Sequence, residues 1–375
     1  MIPLEFNIEN RYQYSHLNES NKRLYRFMVS CLLKKQRRFL FVDEFDEVLD
    51  KDEYKSLPIF NHKSAENVSL VGVWNAIMWD CPEFYFVDIF DLNSLNPTYV
   101  IMGKVDAYYT DREIDEINKE LEEILHNFNG ITDEFELELA VTKFISKNYT
   151  YDNETIDYYV DYNDPSFDIN KWKRYKEKYS VAGLIKYKTG VCSAMALLAQ
   201  FIFQRKGMKV VNMEGRALNS NGVIDGHRWL AVNLEGNYYY LDVTWENTLS
   251  KDLNSPQFMF FNIDSKEALE YYQIYENEYN DVICNSTKYN YYHKMGRYFD
   301  SLSKLKEVFE KYLLIDFDTC VDNYFYFKIS DDLIDGEVRK SLLEIKNKYW
   351  DASWKWKVRK INSYYSIIIP AKKDL

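Results

Sequence analysis

Glycine and proline are scarce in this chain, at 12 and 7 among 375 residues. So few breakers leave little room for long flexible linkers, and no repeat or low-complexity tract marks a domain boundary. The five cysteines, Cys31, Cys81, Cys192, Cys284 and Cys320, are odd in number and far apart. That excludes a disulfide framework and a Cys-x-x-Cys metal or redox pair. No apolar run approaches the ~20 residues of a membrane-spanning helix. Met1-Ile2-Pro3-Leu4-Glu5-Phe6 lacks the basic-then-apolar order of a secretory signal, so the chain reads as cytoplasmic. A lysine and arginine excess is missing as well: 47 of them against 59 acids give a net charge of −12. That is the wrong sign for binding nucleic acid through its phosphates, and it would tend to repel acidic substrates. The clearest basic cluster, Lys34-Lys35-Gln36-Arg37-Arg38, is expected to coat a helix end.

Aromatic residues are what the chain has in excess, with 33 Tyr, 23 Phe and 8 Trp. With a hydrophobic fraction of 46%, they supply filled cores over a length that suits several domains, or one with large additions. Helical and alternating patterns mix throughout, so the fold class is α+β. Residues 1–110 read as an N-terminal α+β region. It holds a helix capped near Asn18, a strand over residues 39–42, a helix beginning after Ser64, and strands over residues 84–87 and 99–102. Pro82 must end the second helix, because it lacks an amide and disfavours helix at the residue before it.

A helical lead-in from Asp111 carries Ile114, Ile117, Leu121 and Leu125 on one face, and Thr132 is placed to cap the next helix. These open a central region expected to span residues 111–298. Within it, a polar, aromatic connection up to about Ser180 is expected to be mobile and to edge a site. Residues 258–261 read as a strand and Ser265 as the cap of a short helix through Tyr271. Residues 299–375 read as a small accessory α+β domain, its Trp350, Trp354 and Trp356 taken as packing residues.

The stretch from Gly190 to Trp245 carries the chemistry. After Gly190, Cys192 falls in the first turn of a helix whose Met195, Leu198, Phe201 and Ile202 leave almost no polar face, so that helix is buried. A cysteine there feels the positive end of the helix dipole, which favours thiolate. Its backbone amide lacks a helical partner and is available to an oxyanion. From His227 to Leu234 the pattern alternates, with His227 and Trp229 on one face, and Glu235-Gly236 suits a tight hairpin turn. In that register Leu234 faces Asn237, Asp242 faces Trp229, and His227 and Asp242 are diagonal neighbours on one face. A bulge at the turn would undo this pairing.

Cys192 is then a nucleophile, His227 its base, and Asp242 the group that orients the base. Each residue alone reads more plainly: a cysteine in an apolar helix is usually core, and a histidine before a strand is usually a hydrogen-bonded surface group. Order and register together favour the triad. Cys31, Cys81, Cys284 and Cys320 default to structural thiols, and His16, His62, His126 and His293 lack matching partners. A zinc site built from Cys192, His227 and Asp242 would have three ligands without metal-like spacing, so no metal and no cofactor is called for.

Gly190-Val191-Cys192, His227-Arg228-Trp229 and Asp242-Val243-Thr244-Trp245, in that order, resemble the transglutaminase-like superfamily. The helical lead-in from Asp111 with Tyr149 to Asp152 resembles the corresponding part of bacterial members. Asp80-Cys81-Pro82-Glu83-Phe84 resembles, more weakly, a segment upstream in some of them. The resemblance implies a papain-like core, a buried cysteine helix packed on an antiparallel sheet, with a Cys-His-Asp triad. Members often have glycine and an aromatic residue where Ala194 and Met195 stand here, and asparagine where Leu230 stands. Those changes spare the triad and alter the substrate cleft, along which Ser193, Ala194, Met195 and Trp229 are expected. The implied activity is acyl transfer from the amide of a protein or peptide substrate. Hydrolysis, as in a cysteine peptidase or amidase, is preferred to transglutaminase cross-linking onto a lysine amine. An inactive scaffold that binds peptide or glycan is the reading of another class.

Overall fold

In a computed structural model of the chain, the apolar faces legible in the sequence meet on three sheets of four or five strands, beside a two-stranded one. The structure describes residues 6–42, 52–61, 68–96, 100–156, 168–218, 224–253, 256–275, 281–314, 324–349 and 357–368. His62, Cys320, Trp350, Trp354 and Trp356 lie outside the described residues.

In the N-terminal region α1 (Tyr12–His16), α2 (Glu19–Leu33) and α3 (Leu70–Asp80) accompany a sheet of β1 (Arg38–Val42), β2 (Ile59–Asn61), β3 (Val87–Asn96) and β4 (Val100–Ala107). The strand order is β2-β1-β4-β3. Phe27 of α2 meets Phe39, Phe41 and Phe60, and Trp74 of α3 stacks on Phe90. Asn18 caps α2 as expected, its side chain accepting the Asn21 amide at 2.8 Å. Helix α3 starts later than the sequence pattern suggested, because Ser69 rather than Ser64 caps it, accepting the Gly72 amide at 3.1 Å. It stops at Asp80, ahead of Pro82. The strand expected over residues 84–87 is instead a 3-10 turn, Pro82–Phe84, with β3 beginning at Val87. The basic cluster does more than coat a helix end: Lys35 pairs with Asp115 at 2.7 Å and Arg37 with Asp111 at 2.8 Å, both on α4 (Asp111–His126).

Helix α4 opens with a reciprocal capping box between Thr110 and Glu113. Asp133, not Thr132, caps α5 (Glu134–Asn148), accepting the Glu136 amide at 2.9 Å. Strands β5 (Thr150–Tyr151) and β6 (Thr189–Gly190) pair in parallel, enclosing α6 (Asn153–Ile156), α7 (Ile169–Glu177) and α8 (Val181–Tyr187) in sequence. Helix α9 (Cys192–Arg205) follows, with Ala194, Met195, Ala196, Leu198, Ala199, Phe201, Ile202 and Phe203 all buried. It packs on β7 (Val210–Leu218) and β8 (Ile224–Leu234), with α5, α8 and α10 (Val243–Leu253) around it.

Strands β7 and β8 join β9 (Asn237–Leu241), β10 (Phe261–Ile263) and β11 (Tyr272–Ile274) in an antiparallel five-stranded sheet of order β10-β9-β8-β7-β11. A buried helix bearing the cysteine thus lies on an antiparallel sheet bearing the histidine. The fold is α+β, and this core has the helix-on-sheet arrangement that the sequence resemblance implies. Here the later chain departs from its pattern. The expected strand at residues 258–261 shrinks to β10, and Asp264 rather than Ser265 caps α11 (Ser265–Ala268).

Helix α12 (Tyr291–Lys294) leads to β12 (Tyr298–Phe299), α13 (Leu302–Leu314), β13 (Tyr324–Ile329), α14 (Asp335–Tyr349), β14 (Lys357–Ile361) and β15 (Tyr364–Ile368). Their sheet, ordered β12-β13-β15-β14, buries Phe325, Phe327, Tyr365 and Ile367 against Phe309, Val338, Leu342 and Ile345 in a core of its own. Its other face places Tyr326 and Tyr364 in the central core. No helix among the described residues is long and apolar enough to cross a membrane.

Candidate active site

Cys192 is the first residue of α9 and is half-buried, whereas Cys31, Cys81 and Cys284 are fully buried. The approach to it is held by a buried clasp. Lys178 pairs with Asp152, whose carboxylate also accepts the Thr155 amide at 3.0 Å and the Thr189 hydroxyl at 3.3 Å. The backbone closes the same clasp: the Val191 amide donates to the Lys178 carbonyl at 3.2 Å and the Asp152 amide to the Gly190 carbonyl at 3.0 Å. Gly190 is required by contact rather than by torsion. A β-carbon there would come within 2.9 Å of Leu184 Cδ1 and 3.1 Å of Ala194 Cβ.

His227 and Asp242 owe their meeting to the hairpin. Glu235 and Gly236 both take positive φ, 50° and 85°, as a two-residue primed turn demands. Leu234 pairs with Asn237 and Leu230 with Leu241, in the register read from the sequence. Asp242 is the residue just past β9, and it is also the start of α10. Its Oδ1 accepts the amides of Thr244 and Trp245, each at 3.0 Å. That leaves Oδ2 for His227 Nε2 at 2.6 Å and the Tyr272 hydroxyl at 2.8 Å. Both His227 and Asp242 are buried, at 6% and 2% exposure.

The Cys192 thiol lies near enough to the His227 ring to favour its charged form, and with Nε2 turned to Asp242 the nitrogen left for the sulfur is Nδ1. The ring is clamped on its faces by aromatics: Trp245 at 5.4 Å, Trp229 at 5.9 Å and Tyr272 at 5.9 Å between centroids, all stacked. Burial opposes a charged imidazole, but the Asp242 carboxylate, followed by Cys192, outweighs it and raises His227 to about 10. Burial and the Asp242 charge push the Tyr272 phenol well up, so it stays a donor. The arrangement can therefore hold a proton on His227 between a sulfur and a fixed carboxylate.

Three residues expected along a cleft are not on one. Trp229, Ala194 and Met195 are wholly buried at 0% exposure. The reason is that Trp229, though on the histidine's face, is covered by Tyr272 at 4.5 Å, while Ala194 and Met195 turn into the core beneath the helix. Ser193 remains half-buried, its hydroxyl donating to the Tyr179 carbonyl at 2.9 Å.

Two residues at the site escaped the sequence reading. Tyr272 lies on β11, an edge strand three residues long whose partner β7 is distant in sequence. Tyr179 is 48% exposed beside the nucleophile. Its phenol is raised first by partial burial and then by the charge of Cys192. No group of His, Cys, Asp and Glu side chains among the described residues could hold a metal ion.

A family profile described as a transglutaminase-like domain matches residues 118–250, an interval that includes Cys192, His227 and Asp242. No curated protein matches the chain. Among solved structures, one described as a TGase matches with a TM-score of 0.27 at 16% identity, covering 42% of this chain and 44% of that one. A proposed cysteine protease from Cytophaga hutchinsonii matches with a TM-score of 0.24 at 17% identity, covering 42% of this chain and 61% of that one. The chain thus spans less than two thirds of either. Residues 118–250, about a third of the chain, are thus similar to a transglutaminase-like domain.

Proposed function

We propose that Cys192, His227 and Asp242 form a catalytic triad that hydrolyses an amide in a peptide or protein. The observation that carries this reading is the 2.6 Å bond from His227 Nε2 to Asp242, with Cys192 close to the same ring. The Cys192 sulfur attacks the carbonyl carbon while its proton already sits on His227. The resulting oxyanion is met by the Cys192 amide, which the first turn of α9 leaves without a helical partner. When the C–N bond breaks, His227 gives its proton to the leaving amine and a thioester remains. Water then attacks the thioester, passing one proton to the now neutral His227, and the acid departs as the C–S bond breaks and sulfur takes back its electron pair. Hydrolysis is favoured over cross-linking by the half-exposed position of Cys192, where water reaches the thioester without a tunnel.

The division into residues 1–110, 111–298 and 299–375 belongs to the same proposal, with the central part catalytic and the flanks supporting it.

The test begins with iodoacetamide. Cys192 is expected to be alkylated faster than the four other thiols, with a thiolate-like pH profile that His227→Ala displaces upward. Equal reactivity of all five would sink the enzyme reading. A glutamine peptide with and without an added primary amine then separates the outcomes: ammonia release without amine incorporation is hydrolysis, and faster incorporation than hydrolysis would make the protein a cross-linker.

A further inference from the structure

The chain is acidic overall at −12, yet α7, whose trailing turn touches the backbone beside Cys192, is basic. Helix α7 and the residues after it read Ile169-Asn170-Lys171-Trp172-Lys173-Arg174-Tyr175-Lys176-Glu177-Lys178-Tyr179. Lys178 and Tyr179 abut the nucleophile directly, through the carbonyls that accept from the Val191 amide at 3.2 Å and the Ser193 hydroxyl at 2.9 Å.

Lys173, Arg174 and Lys176 are exposed, and none is paired with a carboxylate among the described residues. Their neighbours are aromatic instead. Arg174 lies over Tyr187 at 5.2 Å, and Lys176 lies over Trp172 at 4.7 Å while donating to the Tyr108 hydroxyl at 3.2 Å. Glu177, the acid of the helix, is already taken by Lys186 at 3.2 Å and the Tyr187 hydroxyl at 2.5 Å. Asp168 is at the far end, away from the nucleophile.

A cation held against an aromatic face keeps its charge and its position while leaving its donors to a ligand. The helix rise of 1.5 Å per residue puts Lys176 and Lys173 roughly 5 and 9 Å along the axis from Tyr179. That span suits carboxylates about two to four residues from the reacting amide of an extended peptide. A long polyanion fits less well, because α4, which packs beyond α8, presents the exposed acids Glu113, Glu116 and Glu120.

We infer that Lys173, Arg174 and Lys176 form a cationic lip beside Cys192 that docks an acidic stretch of a polypeptide substrate. This rests on the hydrolase reading for its consequence, and on the helix alone for its binding. The sign is opposite to the one that the net charge suggests: the local field at the site, not the total, selects the substrate.

Fluorescein-labelled peptides that differ only in three Glu replaced by Gln, or by Lys, test it on the full chain by anisotropy and by turnover. The acidic peptide is expected to bind tightest, and raising the salt should remove its advantage. Lys173→Glu combined with Arg174→Glu should weaken acidic-peptide binding ~10-fold. In turnover the loss should fall on KM with kcat kept, and the Cys192 alkylation rate should stay unchanged. Equal binding of the three peptides, or acidic-peptide binding indifferent to the double variant, overturns the docking. So does a stronger response to the variant from a single-stranded oligonucleotide than from the acidic peptide. Binding that follows the expected pattern without any turnover leaves the docking standing and removes the hydrolase reading.

Discussion

Asp242 works because its two oxygens are divided. Oδ1 is committed to the first turn of α10 through the Thr244 and Trp245 amides, so the carboxylate cannot swing, and Oδ2 faces His227 and Tyr272. The Asp-x-Thr-Trp run is thus a helix cap as much as a strand end. The partnership of His227 and Asp242 was legible because hairpin register follows from Glu235-Gly236 and from alternation, both local. Tyr272 was not, since only a long-range pairing brings β11 to β7. Alternation also says which face a side chain takes and nothing of what covers it, which is why Trp229 was misplaced onto a cleft.

Removing the Tyr272 hydroxyl gives a prediction at this scale. Tyr272→Phe takes one donor from Oδ2, so the carboxylate holds the imidazolium more tightly and His227 releases its proton less readily. A hydrogen bond to a charged group contributes about 1.5–3 kcal/mol, and one pH unit corresponds to ~1.4 kcal/mol. The alkaline limb of kcat/KM against pH should therefore move upward by roughly one unit. A limb that stays in place would reduce Tyr272 to packing.

At the level of elements, the far end of α9 explains the Asp80-Cys81-Pro82-Glu83-Phe84 segment. The Asp80 carbonyl accepts from Arg11 at 2.7 Å and from Gln204 of α9 at 3.0 Å, and the Asp80 carboxylate accepts the Gln13 and Tyr14 amides at 2.9 and 2.8 Å. Arg11, also bonded to the Gln204 side chain, closes the hub by pairing with Glu83 at 2.6 Å, with the two side chains at 1% and 3% exposure. The N-terminal region is in this way bolted to the nucleophile helix. Sequence patterning found the helices on either side, but it could not find the hub, whose members are polar and come from three stretches far apart in the chain. Arg11→Met strands Glu83 in the core and should cost about 3–5 kcal/mol in urea unfolding, the usual loss when one partner of a buried pair goes. Adding Glu83→Gln should return part of it. If the double variant is as unstable as the sum of the singles, the pair is not the source of the loss.

Across the whole molecule, the central core holds two buried carboxyls that make no ion pair among the described residues. Glu138, wholly buried, accepts from Asn262 Nδ2 at 2.7 Å, and Glu246, also buried, accepts the Phe258 and Phe260 amides at 2.7 and 2.6 Å. Burial raises Glu138 to about 8 and Glu246 to about 7, their hydrogen bonds only partly opposing it. The Phe258–Phe260 turn held by Glu246 also bonds Asp242, whose amide donates to the Phe260 carbonyl at 3.0 Å. The C-terminal sheet leans on the same turn, with Lys328 donating to the Met259 carbonyl at 3.3 Å and Tyr364 to Gln257 at 2.8 Å. Glu138 lay hidden in a helix that reads as an ordinary amphipathic face and Glu246 in a stretch where no helix was expected, since a charged letter in a pattern is taken as exposed until the tertiary fold covers it.

Their consequence is a stability that falls with pH. Below about 4.5, the ordinary glutamate value, folded and unfolded chains both hold the Glu138 proton. Between about 4.5 and about 8 the unfolded chain has lost it and the folded chain keeps it, so the folded state binds more protons and stability drops as pH climbs through that window. Glu138→Gln has no proton to lose, and its carbonyl still accepts from Asn262. The variant should melt near wild type at pH ~5 and above it at pH ~8, because burying a charge costs far more than burying an amide. His227 and Glu246 titrate alike in both proteins and cancel from the difference. Two melting curves that fall in parallel from pH ~5 to pH ~8 would show that Glu138 does not hold its proton in the fold.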